Sequence, residues 1–370
     1  MIKEIELEKY RGFEKYRVGG LTRVNLIVGR NNCGKTSILE AIQLFVSGGD
    51  PSVLAKIAWQ RGEFVLVRED QDAPGGRGTI PDISHFFHKR NFRPGSYFRI
   101  LADGQPDPLI IRIDLPEKGG QQPLFEENGV INPGYAVFFD GATHPRANQV
   151  DTFSVTDAGG FLWELNFRFR RLPDSMAHPL PIVHFISPNS LEPRLMSDMW
   201  DRVLLDGRED SVIKAMRILE EDLTDIFFLS GGSLRVGGRI GVLLGFKGAQ
   251  RRIPMGSFGE GMRRLLALSL TLTQTAGGVL LADEIDTGLH WSIMGDMWRL
   301  VVSAALESNT QVFATTHSLD CLRGLAWLCE NHPDLGEHVS VHKIDPGLED
   351  AVGFDASQIQ VAIEQEIEVR

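Results

Sequence analysis

Residues Gly29 to Thr36 read Gly-Arg-Asn-Asn-Cys-Gly-Lys-Thr, between an apolar run, Val24-Asn25-Leu26-Ile27-Val28, and a helical pattern, Ser37-Ile38-Leu39-Glu40-Ala41-Ile42. A strand that ends in a glycine-bearing loop opening a helix aims consecutive backbone N–H groups at one point, and the helix dipole adds partial positive charge there. Phosphate is the natural occupant. The pattern has the form of a P-loop, in which Gly29, Arg30, Asn31, Asn32, Cys33, Gly34, Lys35, Thr36 and Ser37 wrap a nucleotide. In such a loop Lys35 reaches the β- and γ-phosphates, and the Thr36 hydroxyl is a Mg²⁺ ligand.

A nucleotide loop also needs a carboxylate for the metal and a group that handles water. Far downstream, Val279-Leu280-Leu281-Ala282-Asp283-Glu284 is a buried-strand run ending in two acids, as expected at the carboxyl end of a parallel strand. Asp283 fits the Walker B role of holding Mg²⁺, directly or through water. Its neighbour Glu284 is placed to orient or deprotonate the attacking water.

Two further segments narrow the class. Ser257-Phe258-Gly259-Glu260-Gly261 opens a helix whose apolar positions include Met262, Leu265, Leu266, Leu268 and Leu270. After the acids come Ile285-Asp286-Thr287-Gly288-Leu289-His290 and a strand, Gln311–Thr315, that runs into Thr316-His317-Ser318. These segments resemble an ABC-type signature motif, a D-loop and a switch histidine, and their order is that of the ABC ATPases. The opening, Ile5-Glu6-Leu7-Glu8-Lys9-Tyr10-Arg11-Gly12-Phe13, resembles the first strand and turn of RecF- and SMC-like ATPases. Asp-Glu-Ile-Asp-Thr-Gly-Leu-His and Thr-Thr-His-Ser resemble the ATPase part of the overcoming-lysogenization-defect (OLD) nuclease family and its stand-alone relatives. The resemblance covers residues 1–45 and 200–325 and leaves the stretch between without a counterpart.

The resemblance implies an α/β fold: a P-loop NTPase of ABC-ATPase type, with a mixed sheet flanked by helices, a β-rich insertion and a helical signature subdomain. It implies ATP and Mg²⁺ as ligands, with hydrolysis in a homodimer or higher oligomer paired head to tail. There Ser257, Gly259 and Gly261 close over the γ-phosphate held by the opposite subunit, and His317 reads that phosphate. Two departures stand out: the signature reads Ser-Phe-Gly-Glu-Gly, not Leu-Ser-Gly-Gly-Gln, and only Gln60 offers itself, weakly, as a Q-loop glutamine. Relatives of this kind act as switches or sensors in bacterial DNA repair or anti-phage defence, often with a separately encoded nuclease or toxin. Two alternatives stay open: a nucleotide-dependent scaffold with little turnover, and a small-molecule kinase, which the signature and switch histidine weaken.

Composition adds exclusions. Net charge is −11, which argues against generic nucleic-acid binding by the whole surface. DNA is a candidate partner only through local patches, namely His85-Phe86-Phe87-His88-Lys89-Arg90-Asn91-Phe92-Arg93 with Tyr97 and Arg99, or Asn166, Arg168 and Arg170 on one strand face. The plainer expectation for both is a solvated surface with aromatics turned inward. No apolar run is long enough to span a bilayer and the N-terminus lacks a signal core, so no membrane contact and a cytoplasmic location are expected. The three cysteines, Cys33, Cys321 and Cys329, lack zinc spacing and read as reduced thiols.

The expected organisation is an ATPase core of residues 1–46 and 230–345, a β-rich insertion of 47–190, a helical subdomain of 191–229 and a C-terminal segment of 346–370. In the insertion, short strand-like runs such as Phe64–Val67, Leu109–Ile113 and Phe161–Phe169 alternate with turn dipeptides. Val212, Met216, Leu219, Leu223 and Ile226 recur at three and four, predicting one amphipathic helix of about five turns packed on the core. The stretch from Leu319 to Arg370 is too short for the TOPRIM nuclease module of OLD proteins, and Asp345, Glu349, Asp350, Asp355, Glu364 and Glu366 read as solvated surface.

Overall fold

The computed structural model describes residues 1–67, 78–103, 107–114, 125–127, 130–132, 135–141, 152–153, 181–189, 191, 193–229 and 241–365. The expected strand Phe161–Phe169, the group Asn166, Arg168 and Arg170, and Glu366 lie outside the described residues.

An N-terminal hairpin, β1 (Glu4–Tyr10) and β2 (Phe13–Gly19), precedes β3 (Val24–Val28), α1 (Lys35–Val46) and α2 (Pro51–Gln60). Short strands follow: β4 (Phe64–Val67), β5 (Gly78–Pro81), β6 (Tyr97–Ala102), β7 (Leu109–Asp114), β8 (Phe125–Glu127), β9 (Val130–Asn132), β10 (Tyr135–Asp140) and β11 (Thr152–Phe153). Then come β12 (Val183–Ile186), α3 (Pro193–Leu205), α4 (Glu209–Met216), β13 (Leu223–Leu229), β14 (Gly241–Phe246), β15 (Ile253–Pro254) and α5 (Glu260–Gln274). The rest is β16 (Val279–Ala282), α6 (Met294–Glu307), β17 (Gln311–Thr315), α7 (Leu319–Asn331), α8 (Pro333–Gly336), β18 (Val339–Lys343), β19 (Val352–Phe354) and α9 (Ala356–Glu364).

Two six-stranded sheets carry the fold. One has the order β12-β16-β17-β3-β18-β19, with the first five strands parallel and β19 antiparallel. This is the mixed sheet flanked by helices that the motifs imply. Its strands are apolar on both faces because both are covered. Val24, Leu26 and Val28 of β3 join Leu280, Val312 and Val341 against α3 to α7 and α9, whereas Ile27, Leu281 and Phe313 face the other way, towards α1 and the hairpin. The second sheet is antiparallel, in the order β11-β10-β7-β6-β1-β2. The strands β6, β7, β10 and β11 therefore extend the N-terminal hairpin, and Phe86, Phe98 and Ile111 pack beneath it with Leu7 and Tyr10.

Two local expectations need correction. The stretch after residue 46 contains α2, not only short strands and turns; Asp50 caps it by accepting from Ser52 N at 2.8 Å, and Pro51 opens its first turn. Leu54, Ile57 and Ala58 bury one face of it. The five-turn helix expected from Asp210 is also absent: α4 stops at Met216, and Leu223 and Ile226 belong to β13. They imitate a helical spacing because a register shift between Leu223 and Asp225 inserts an extra residue, so both side chains face inward three positions apart. All three cysteines are free and buried, with Cys321 and Cys329 both on α7. Among the described residues no helix is long and apolar enough to cross a membrane.

Candidate nucleotide site

The phosphate loop leaves β3 at Gly29 and enters α1 at Lys35. Gly29 and Gly34 have φ of 149° and 101°, a region L side chains rarely adopt. A Cβ on Gly29 would meet Cys33 Sγ and the Ile344 carbonyl, and one on Gly34 would strike the Phe13 ring. Phe13 is the aromatic that closes the N-terminal Tyr-Arg-Gly-Phe turn, so the hairpin forms the floor beneath the loop.

Sheet order then gathers the chemistry. β3, β17 and β16 are adjacent and parallel, so the loop after β3, Thr316-His317 after β17 and Asp283-Glu284 after β16 emerge at one edge, where ligands bind such sheets. Thr36 Oγ1 donates to the Asp283 carboxylate, 3.0 Å from Oδ2 and 3.1 Å from Oδ1. Thr315 Oγ1 donates to Asp283 Oδ1 at 2.5 Å and accepts from Glu284 N at 2.8 Å, which fixes the carboxylate and the following peptide together. A hydroxyl and a carboxylate side by side form an all-oxygen donor set suited to Mg²⁺. Lys35 Nζ bridges the carbonyls of Gly29 and Arg30 at 2.7 and 2.9 Å.

Glu284 has φ of 47°, a left-handed conformation in a side-chain-bearing residue, which costs on the order of 1 kcal/mol and recurs at functional sites. Its carboxylate lies 3.5 Å from His317 Nδ1 and accepts from Thr287 Oγ1 at 3.4 Å. Thr316 Oγ1 donates to Asp286 Oδ1 at 2.6 Å, joining the turn after β17 to the turn that follows the two acids.

Ser257 sits exposed in a 3₁₀ turn, Met255–Phe258, ahead of α5, and Gly259 at the helix entrance has φ of 83°. Gly261 packs against the turn of residues 286–289: a Cβ there would lie 2.6 Å from the Gly288 carbonyl oxygen. None of the three lines the cleft over the phosphate loop, which has a volume of about 810 Å³ and collects Asn31 to Ser37, Asp283 and Glu284. Gln60 is not among its lining residues either, whereas the next residue, Arg61, is.

The sequence left two features unannounced. Arg264, on the apolar stripe of α5, is fully buried and donates to the carbonyl oxygens of Ser187 (2.5 Å), Asp283 (2.6 Å), Glu284 (2.8 Å) and Ile285 (3.3 Å). Burial pushes its guanidinium down to about 10, against the pull of nearby acids headed by Asp286. A cation directly before Leu265 and Leu266, on the apolar stripe of the helix, was the only signal. Beside the loop, Arg11 pairs with Glu40 (2.9 Å) and Glu63 (2.7 Å), and Arg61 with Glu40 (2.5 Å). Burial pushes the Glu40 carboxyl up, while the two guanidiniums draw it back. The aromatics Phe86 and Phe87 of the basic segment do turn inward, but His85, His88, Lys89 and Arg90 line the cleft.

Residues 1–74 match the family described as AAA ATPase domain, and residues 140–322 the family described as AAA domain, putative AbiEii toxin, Type IV TA system. An ATP/GTP phosphatase of Helicobacter pylori is 20% identical over 333 residues, 86% of this chain and 85% of that protein. The DNA replication and repair protein RecF of Bacillus cereus is 29% identical over 131 residues, 35% of this chain and 29% of that protein. A crystal structure of an Smc head bound to the C-winged helix domain of ScpA is similar with a TM-score of 0.53 at 15% identity, over 96% of this chain and 98% of that one. The two AAA matches fall on the phosphate loop and on the Walker B acids, and with the relatives they support a RecF/SMC-like AAA ATPase, the Smc head sharing its fold.

Proposed function

We propose that the chain binds and hydrolyses ATP as a head-to-tail dimer and acts as a switch or sensor in bacterial DNA repair or anti-phage defence, with a separate nuclease or toxin as effector. The observation that carries the hydrolytic reading is the contact of Thr36 with Asp283 at 3.0 Å, one residue from Glu284 and its neighbour His317. Thr36 and Asp283 would hold Mg²⁺, which when bound neutralises charge on the β- and γ-phosphate oxygens. Lys35 binds the same phosphates, Glu284 takes the proton of the attacking water, and His317 hydrogen-bonds the γ-phosphate.

The dimer reading draws support from Ser257 and Gly259. They open a helix, as a phosphate-binding element does, yet stand outside the lining of their own chain's cleft. A second copy can present them to the γ-phosphate, so that ATP binding joins two subunits and hydrolysis releases them. The repair and defence setting draws on the names of RecF and of the AbiEii-type family. Light scattering of Glu284→Gln with and without ATP tests the core of this reading: a stable ATP-dependent dimer is expected, and a strictly monomeric variant in saturating ATP overturns it.

A further inference from the structure

The basic, aromatic segment after β5 also lines the cleft, and the P-loop scheme gives it no role. Its backbone is clamped to the β1–β2 turn: Arg11 N donates to the Phe86 carbonyl at 2.8 Å, and Tyr10 and Phe87 form an antiparallel bridge. His88 Nδ1 lies 3.0 Å from the Arg11 carbonyl, which can only accept, so the ring is fixed with its proton on Nδ1. Phe87 anchors the segment from below, its ring 5.2 Å from those of Phe92 and Phe98.

The next two residues, Lys89 and Arg90, both adopt left-handed φ, 55° and 53°, and both line the cleft. Two consecutive left-handed residues with long side chains are rare; the clamped residues Phe86 to His88 precede them and Phe92, packed on Phe87, follows them. Both are exposed, and among the described residues neither forms an ion pair. The cleft's other guanidiniums differ: Arg11 is neutralised by Glu40 and Glu63, and Arg61 by Glu40. In a chain of net charge −11, two uncommitted cations thus face a phosphate loop.

We propose that Lys89 and Arg90 are positioning residues for the polyphosphate chain of a nucleoside di- or triphosphate, holding it together with Lys35. The proposal rests on the reading of this cleft as a nucleotide site. It makes the segment between β5 and β6 part of that site, so that nucleotide occupancy is felt by the antiparallel sheet through β6.

The test is isothermal titration of the full chain with ATP, ADP and adenosine, for wild type, Lys35→Ala, the double variant Lys89→Ala/Arg90→Ala and the exchange Lys89→Arg/Arg90→Lys. The double variant should weaken ATP and ADP by about tenfold or more, leave adenosine unchanged and flatten the salt dependence of ATP binding. The exchange should restore most of the affinity, and in turnover KM should rise with kcat retained. Thermal melting checks folding; should the alanine pair melt early, Lys89→Gln/Arg90→Gln replaces it, since both positions are exposed. A folded double variant that binds ATP and ADP as wild type does, while Lys35→Ala loses them, overturns the proposal and leaves the nucleotide reading intact. A wild-type chain that binds neither nucleotide overturns both.

Discussion

Arg264 Nη2 lies 2.6 Å from the carbonyl oxygen of Asp283, so α5 grips the backbone of the turn after β16 directly. The same guanidinium reaches Ser187, Glu284 and Ile285, and it is wholly buried. A charge taken out of water survives there because carbonyl oxygens replace its hydration, and Glu284 is held in its left-handed conformation by the same contacts. Any shift of α5 is thereby transmitted to the acid beside the phosphate loop.

Replacing Arg264 with Met keeps much of the volume and removes every guanidinium donor from these carbonyls, that of Glu284 keeping only Thr287 N at 3.0 Å. We expect a loss of about 2–5 kcal/mol in urea unfolding, together with a fall in phosphate release at temperatures where the variant is still folded. Arg264→Lys should recover only part of either, because a point ammonium cannot span carbonyls arranged for a planar fork.

Gly34→Ala puts a methyl group into the Phe13 ring at a left-handed position. The loop must shift or strain, and a cost of about 1–3 kcal/mol is expected in a thermal melt. Nucleotide affinity should fall sharply in the same variant, whereas Gly20→Ala, also at positive φ but with open space around it, should strain its turn and leave affinity unchanged.

Asp283→Asn preserves the size of the side chain and removes the charge next to Thr36. Phosphate release in Mg²⁺ should drop by about a hundredfold or more, as expected when a metal-binding carboxylate is lost. Nucleotide binding measured in excess chelator should stay within a few-fold of wild type. Equal losses in both assays would show that the residue supports the loop rather than a metal.

His342 is buried on β18, with Nε2 2.8 Å from Ser340 Oγ, which in turn donates to Asn25 Oδ1 at 3.0 Å. Its Nδ1 is buried without a hydrogen-bond partner among the described residues. Burial pulls its pKa from 6.5 down to about 4, so the folded chain keeps it neutral while the unfolded chain takes up a proton. Stability from this group is complete above pH 6.5 and is lost as pH falls from there towards about 4, amounting to about 3 kcal/mol. Urea midpoints measured across that window should fall more steeply in wild type than in His342→Gln.

The parts of the site legible in the sequence share one property: each is set by near neighbours in the chain. The run Val24–Val28, the glycines of the loop and the Lys-Thr pair specify strand, turn and helix start locally, and the apolar run into Asp283 does the same for β16. The cap of α2 was equally local, in Asp50-Pro51-Ser52, and was obscured by the turn-rich composition around it. The repeat from Val212 to Ile226 misled because a bulge in β13 lends a strand the spacing of a helix, and a bulge depends on the partner strand β14.

By itself, then, the sequence determined a phosphate loop, a pair of acids at a strand end and the order in which the further motifs arrive. Tertiary structure alone decided that Thr36 and Asp283, 247 positions apart, lie at hydrogen-bond distance. It also decided that Arg264 faces inward and that Lys89 and Arg90 line the same cleft as the phosphate loop. The physical reason is the same in each case. Strand order and the desolvation of a buried charge depend on groups remote in the chain, and no local pattern carries their positions.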